Sequence, residues 1–238
     1  MVRLLSHRDR QHSDRRLGAR LTFAVAAVVV FSVPFILLLV FVVSSFAPLN
    51  DFDESVARQL HTQALADPGY THFLNVATDA LGPTTWRVLV VAVAIFLWVR
   101  GSRRVAVWAV VTITVSGLLN LAIKDIVNRA RPVLPDPVSS APGASFPSGH
   151  AMGVATCTFV LALILLPYLK GWTPRIVVWA VAAAFTLFVA YTRVALGVHW
   201  FSDVVAGMTL GVAVAAIALL RQRPVAGEHP VAREKITA

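Results

Sequence analysis

The chain has 238 residues, of which 57% are hydrophobic and only 14% are charged, whereas an average soluble domain has about 25% charged residues. This composition indicates a membrane protein and excludes an ordinary soluble domain. The net charge is +9, but the basic residues flank apolar segments and do not gather on one soluble face, so nucleic-acid binding is not expected. The single cysteine, Cys157, excludes an intrachain disulfide and is expected to be a buried, unreactive thiol.

The first apolar segment is residues 21–43, an uncharged stretch long enough to cross a bilayer core, which takes about 20 residues. The Arg-rich segment before it resembles the start of a signal peptide, but the apolar run is too long for one, so a retained span is expected. Five more apolar segments follow, and the predicted fold is therefore all-α, a six-span transmembrane helix bundle. The expected spans are about 21–43, 84–99, 105–123, 151–169, 176–191 and 204–220.

Residues 44–83 separate the first two spans. A turn at Asp67-Pro68-Gly69 divides this segment into two short amphipathic helices, which are expected to lie at the membrane interface. Asp53 is a candidate N-cap of the first of them. His61 and His72 are expected to be exposed surface residues.

The predicted membrane domain is residues 21–220, flanked by a basic tail at 1–20 and a polar tail at 221–238, both expected to lack regular structure. Fifteen of the 21 Lys and Arg residues fall on the side of the two tails, and cytoplasmic segments carry the excess of these residues. Both termini are therefore predicted to be cytoplasmic. The basic residues left for the outer side are Arg58, Arg87, Lys124, Arg129, Arg131 and Arg193.

Lys124 and Arg131 form the first of three polar blocks that adjoin apolar segments. They are seven residues apart, so we expect both on one face of a helix that Pro132 ends, with Arg129 pointing elsewhere. Two cations, one of them a guanidinium, suit a phosphoryl group. A basic cluster that contacts lipid headgroups is the alternative.

The second block, Pro147-Ser148-Gly149-His150, stands at the start of the fourth span. A helix N-terminus offers free N–H groups and the positive end of the helix dipole to an anion, and Gly149 allows close approach. The Ser148 hydroxyl adds a donor, and His150 has the position of a general acid. Simple helix capping is the alternative.

The third block contains Arg193, His199 and Asp203. Because His199 and Asp203 are four residues apart, they are expected to share a helical face and to form a hydrogen bond. A carboxylate on one imidazole nitrogen fixes the tautomer and leaves the other nitrogen as a nucleophile or base. A pair of metal ligands is the alternative.

Together the three blocks resemble the three-part signature of the type 2 phosphatidic acid phosphatase family, in its integral-membrane lipid phosphatase branch, which is related to the vanadium haloperoxidases. The shared residues are Lys124 and Arg131-Pro132, then Pro147 to His150, then Arg193, His199 and Asp203. The family's third motif usually opens Ser-Arg, whereas this chain has Thr192-Arg193. The hydroxyl is retained, so we expect an altered contact and a retained activity.

The resemblance implies that His199 attacks phosphorus to form a phosphohistidine, that Asp203 orients it and that His150 protonates the leaving oxygen. Lys124, Arg131 and Arg193, with Ser148 and Gly149, would bind the phosphate, so neither a metal nor another cofactor is expected.

The substrates implied are polyprenyl diphosphates, phosphatidylglycerophosphate or phosphatidic acid, held at the extracytoplasmic face of a bacterial cell membrane. A lipid phosphotransferase with the same intermediate and a headgroup transporter are the alternatives, and the oligomeric state stays open.

Overall fold

The computed structural model describes residues 7–221, and within this range every regular element is helical. The α-helices are α1 His7–Val43, α2 Ala47–Ala66, α3 Pro68–Ala80, α4 Pro83–Val99, α5 Arg103–Val127, α6 Gly149–Leu165, α7 Trp172–Ala195 and α8 Phe201–Arg221. Six segments are long and apolar enough to cross a membrane: Val25–Val43, Pro68–Val99, Arg103–Val127, Gly149–Tyr168, Trp172–Ala195 and Phe201–Leu220. The predicted all-α, six-span membrane protein is confirmed.

Several helices run further than the apolar segments predict. Lys124 and Arg193 lie in the last turns of α5 and α7, where a cation is favoured by the negative end of the helix dipole. The polar blocks are therefore partly helical. Helix α1 begins at His7, so the expectation of an unstructured segment from there to residue 20 is wrong. Residues 1–6 and the tail beyond residue 221 lie outside the described part of the chain.

Helices α2 and α3 divide at the predicted turn, where the Asp67 side chain caps α3 by accepting a hydrogen bond from the Tyr70 N–H at 3.0 Å. The second candidate span begins earlier than expected, because α3 and α4 together form one apolar segment, Pro68–Val99. Asp53 lies inside α2 and is fully buried, so it is not an N-cap.

The two histidines of this region differ in environment. His61 is only 4% exposed, and its ring is hydrogen-bonded to the Pro135 carbonyl. The expectation that it lies on the surface is wrong, whereas His72 is exposed as expected. Helix α2 therefore packs against the α5–α6 connection and is not simply a surface element.

Helix α6 occupies the centre of the bundle and packs closely on α8. A Cβ added at Gly207 would lie 2.5 Å from the Ser148 carbonyl oxygen, and one added at Gly211 would lie 2.5 Å from the Met152 carbonyl oxygen. These glycines, four residues apart, allow the two backbones to approach as small residues do in membrane helix pairs. The close approach holds the start of α6 beside the start of α8.

Candidate active site

Hydrogen bonds join the three polar blocks at one end of the bundle. The Ser148 N–H donates to the Asp203 carbonyl oxygen at 3.0 Å, which links the second block to the third. Arg131 Nη1 lies 3.2 Å from His199 Nε2, which links the first block to the third. The structure thus brings together segments from α5, α6, α7 and α8 that are far apart in sequence.

His199 is held from both sides of its imidazole ring. Its Nδ1 lies 3.4 Å from Asp203 Oδ2, and Asp203 Oδ2 also accepts the Trp200 N–H at 3.0 Å. Because a guanidinium can only donate, the contact between Arg131 and Nε2 requires a lone pair on Nε2 and the proton on Nδ1. The ring is therefore in the tautomer that a nucleophile attacking through Nε2 needs.

The electrostatic surroundings keep this imidazole neutral. His199 is 3% exposed, and burial lowers its pKa to about 4, an effect that the hydrogen bond it donates to Asp203 only partly offsets. Burial also lowers the pKa of Arg131, although Asp203 acts in the opposite direction. His199 precedes α8 and does not lie on it, so the expected contact with Asp203 forms, but across the helix start and not along a shared helical face.

The low pKa of His199 gives an expected pH dependence of stability. An unfolded histidine has a pKa of about 6.5, so the unfolded chain takes up this proton first as the pH falls. The stability that neutral His199 contributes is present above about pH 6.5 and is lost towards pH 4; at about pH 5 the loss is about 2 kcal/mol.

Thermal unfolding in detergent at several pH values measures this effect. The His199→Gln variant carries every other titrating group and is the control. A melting temperature that falls as steeply with pH in the variant as in the wild type would contradict the assignment.

Lys124 and Arg131 meet on the same loop carbonyl, although they do not share a helix. Helix α5 ends at Val127 with Asn128 in a left-handed conformation, so the expectation of one helical face is wrong. Lys124 Nζ donates to the Ala144 carbonyl oxygen, and Arg131 Nη2 lies 3.2 Å from the same oxygen. The chain reversal after Asn128 brings the two cations together.

The second block has the predicted place at the start of α6. Ser148 is the N-cap, and its Oγ accepts from the Ala151 N–H at 3.5 Å. A Cβ at Gly149 would lie 3.0 Å from Asn120 Oδ1, so the absence of a side chain lets α5 approach the helix start. The Asn120 amide in turn donates to the Pro147 carbonyl oxygen at 3.3 Å. His150 follows on the first turn, where its Nε2 faces Gly82.

Arg193 is buried and held by α3. Its Nη1 donates to Thr78 Oγ1 at 3.1 Å, while its Nε has no hydrogen-bond partner among the residues that the structure describes. The Thr192 hydroxyl shares a 3.0 Å hydrogen bond with the same Thr78 hydroxyl. The hydroxyl that replaces the usual serine therefore contacts the residue that holds Arg193.

Arg129, which the sequence patterns do not assign to the site, is at the centre of a buried ionic network. Arg129 Nη1 lies 2.7 Å from Asp203 Oδ1, and Nη2 lies 2.8 Å from Asp53 Oδ2. Asp53 also accepts the Ser202 N–H at 2.9 Å and the Ser202 hydroxyl. Arg129 therefore fixes the position of the Asp203 carboxylate, which in turn contacts His199. Asp53 of α2 fixes the position of Arg129. The expectation that Arg129 points away from the site is wrong.

Trp200 has a structural contact at the edge of this network. Its indole N–H donates to the Ala130 carbonyl oxygen at 2.9 Å, and the Arg129 guanidinium lies 5.5 Å from its ring centroid. Among the side chains that the structure describes, no group of three or more His, Cys, Asp or Glu could hold a metal ion. His199 and Asp203 thus have no neighbouring ligand to complete a metal site in the described chain.

Comparison with protein families identifies the fold around this site. The family model of the PAP2 superfamily matches residues 105–225, which is half of the chain and includes all three blocks. The chain belongs to the PAP2 superfamily. The matched region begins in α5, so helices α2 to α4, which provide Asp53, Thr78 and the contact with His150, precede it.

Two curated proteins and one solved structure are similar to this PAP2 chain. Phosphatidylglycerophosphatase B of Bacillus subtilis is 36% identical over 95 residues, which is 40% of this chain and 46% of that protein. Undecaprenyl-diphosphatase of Sulfolobus acidocaldarius is 29% identical over 127 residues, 50% of this chain and 55% of that protein. The chain thus matches about half the length of these relatives.

The solved structure is a transmembrane PAP2-type phosphatidylglycerolphosphate phosphatase from Bacillus subtilis. It is 24% identical and has a TM-score of 0.66, with 78% of this chain and 92% of that chain covered. The likeness extends to helices before the matched PAP2 region and confirms the fold.

Proposed function

We propose that this PAP2 protein is a lipid phosphatase that forms a phosphohistidine at His199. The observation that carries the proposal is the pairing of His199 with Asp203 on one ring nitrogen and Arg131 on the other. This arrangement aims a lone pair at the place where the cations converge. The similar proteins named phosphatidylglycerophosphatase B and undecaprenyl-diphosphatase support a lipid phosphate or diphosphate as the substrate.

The reaction follows from the roles of the two histidines. His199 Nε2 loses its hydrogen bond from Arg131, attacks phosphorus and forms the N–P bond. The bond from phosphorus to the leaving oxygen breaks, and its electron pair stays on that oxygen. His150, in its protonated form, gives its proton to this oxygen. Water then attacks the phosphorus of the phosphohistidine while His150 takes one of its protons. The N–P bond breaks with its electron pair returning to His199 Nε2, and inorganic phosphate leaves.

The phosphate oxygens are stabilised by the surrounding cations. Lys124, Arg131 and Arg193 supply positive charge, and the N-terminus of α6, with the Gly149 amide and the Ser148 hydroxyl, supplies donors. The Arg193 Nε, which is buried without a partner in the described chain, is a donor that a phosphate oxygen would satisfy. These groups stabilise the charge that develops in the transition state of phosphoryl transfer.

We place the site on the extracytoplasmic face, with both termini in the cytoplasm. The support is the distribution of basic residues along the sequence, since fifteen of the 21 Lys and Arg belong to the tails and connections that the predicted spans assign to the opposite side.

Phosphate release from a lipid panel by the purified protein tests the function. We expect release from polyprenyl diphosphate or phosphatidylglycerophosphate, retained with a chelator, and inhibition by vanadate, a mimic of the pentacoordinate phosphorus of the transition state. In ¹⁸O-labelled water the released phosphate carries label; unlabelled phosphate would indicate transfer to another acceptor.

Two further results would contradict parts of the proposal. Binding of these lipids without any turnover would favour a transporter. With intact cells, an impermeant short-chain substrate is expected to be hydrolysed without permeabilisation, and hydrolysis only after permeabilisation would contradict the outer-face placement.

A further inference from the structure

Arg87 of α4 is a cation that the phosphate site does not use. Of the other five basic residues on its side of the bundle, Arg58 pairs with Glu54 and Arg129 pairs with Asp53 and Asp203. The remaining three are the cations of the phosphate site. Among the residues that the structure describes, Arg87 has neither an ion pair nor a hydrogen bond of its own, although it lies within the candidate span Pro68–Val99. A charge in such a segment is costly and indicates a functional role by default.

The start of α4 is packed against the face of α6 that carries His150. A Cβ at Gly82 would lie 3.5 Å from His150 Nε2, and a Cβ at Gly153 would lie 2.7 Å from Pro83 Cβ. This close packing of α4 and α6 leaves the general acid at the junction of the two helices. The leaving group of the reaction must therefore lie at this junction.

The Arg87 guanidinium lies on the inner side of this junction, further than His150 from the outer end of the bundle. Its Nη2 would be 3.6 Å from a Cβ at Gly117 and 3.6 Å from a Cβ at Gly153, so two helices present glycines where the guanidinium lies. Gly153 is three residues after His150, a rise of about 4.5 Å along α6. The order from the outer end inwards is His199, His150 and Arg87.

We propose that Arg87 binds a second phosphate of the substrate, the one that remains on the lipid after cleavage. In a lipid diphosphate this phosphate lies between the scissile bond and the hydrocarbon chain. With the terminal phosphorus at His199 and the bridging oxygen at His150, the second phosphate lies one step deeper, towards Arg87. A guanidinium suits it because its paired donors match phosphate oxygens. Arg87 thus favours lipids with two phosphates over lipid monophosphates. This inference rests on the proposed function.

Two other phosphate groups could bind the Arg87 guanidinium. One is a phosphodiester further along a glycerophospholipid headgroup, and the other belongs to the headgroups of the surrounding bilayer. A phosphodiester within the substrate makes Arg87 a determinant for phosphatidylglycerophosphate as well. Bilayer headgroups would make Arg87 an anchor with no preference among substrates. A comparison of matched substrates separates these cases.

The test compares Arg87→Gln with the wild type on a polyprenyl diphosphate and on the monophosphate of the same chain length, in the same detergent. We expect kcat/KM to fall about 10- to 100-fold for the diphosphate, the loss typical of a hydrogen-bonded charge, and to change less than about threefold for the monophosphate. Arg87→Lys should recover part of the loss. Phosphatidylglycerophosphate and phosphatidic acid form a second matched pair.

Arg58→Gln is the control, because Arg58 is an exposed arginine on the same side of the bundle and should affect neither substrate. If Arg87→Gln loses kcat/KM equally on both substrates, Arg87 is a bilayer anchor and the inference is overturned. If the variant loses kcat/KM on neither substrate, the inference is also overturned. If the wild type releases phosphate from none of these lipids, the proposed function fails instead. Melting temperatures of the variants show whether the fold is retained.

Discussion

The His199→Ala variant is expected to lose essentially all phosphatase activity, with kcat reduced by about 10⁴-fold or more, as when other covalent nucleophiles are removed. The reason is specific to its geometry. Nε2 is the ring nitrogen with the free lone pair, and burial lowers the pKa of His199 to about 4, so the ring is neutral and reactive near neutral pH. The measurement is phosphate release under saturating substrate.

Trapping of the intermediate makes this prediction more specific. A ³²P-labelled lipid substrate, quenched in base, is expected to leave an alkali-stable, acid-labile label on the wild-type protein and none on His199→Ala. His72→Ala is the matched control, because His72 is an exposed histidine of α3. Label on the His199→Ala protein, or turnover within tenfold of the wild type, would refute the nucleophile assignment.

The Arg129→Gln variant is expected to lose both stability and activity. Removal of the Arg129 guanidinium leaves the Asp53 and Asp203 carboxylates, only 1% and 0% exposed, without their shared cation. Breaking a buried ion pair in this way costs about 3 to 5 kcal/mol. Asp203 then loses one of the contacts that aim it at His199, and a small displacement of a catalytic group lowers kcat by about 10²-fold.

Two comparisons separate the positioning effect from simple destabilisation. Arg58→Gln removes an exposed ion pair, with side chains 69% and 53% exposed, and should cost less than about 1 kcal/mol. Asp53→Asn removes the anchor of Arg129 without touching Asp203, so it should lower the melting temperature more than it lowers kcat.

The Arg129→Gln variant should lose kcat as well as stability: measured well below its melting temperature, it should retain KM while kcat falls. If it keeps wild-type kcat under those conditions, Arg129 does not act through Asp203.

That the candidate site residues lie close together was predictable, because each lies at or beside the end of a long apolar helix. Lys124, Arg193 and Asp203 are in terminal turns, and Ser148 caps α6. A charge or a cap at the edge of an apolar segment is visible in the sequence as soon as the segment is recognised. The roles of these residues remain proposals, but their proximity follows from the bundle.

The ionic network was not predicted, because its partners are joined only by tertiary structure. Asp53 and Arg129 are separated by 76 residues, and Asp53 was interpreted as an N-cap. Helical periodicity contains a signal that could have corrected this. Asp53, Ala57, His61 and Ala64 are the buried residues of α2, and their spacing of three to four residues places them on one face. A face shared with two alanines indicates burial for the acid and the histidine.

The position of Arg131 was predicted for the wrong reason. Seven residues correspond to two turns of a helix, but the left-handed Asn128 ends α5 three residues earlier. The segment after it is fixed by backbone hydrogen bonds, including one from the Ser145 N–H to the Arg129 carbonyl oxygen at 2.8 Å. Loop conformations of this kind depend on contacts between distant segments, which a local pattern does not contain.

The loop carbonyls around the two cations also bear on how the product leaves. Arg131 donates to the carbonyl oxygens of Pro142, Gly143 and Ala144, and Lys124 shares the last of these. Free phosphate must compete for donors that already have neutral acceptors close by. Such competition lowers the affinity for phosphate itself without moving the cations, so turnover would be little inhibited by the phosphate that accumulates around a working enzyme.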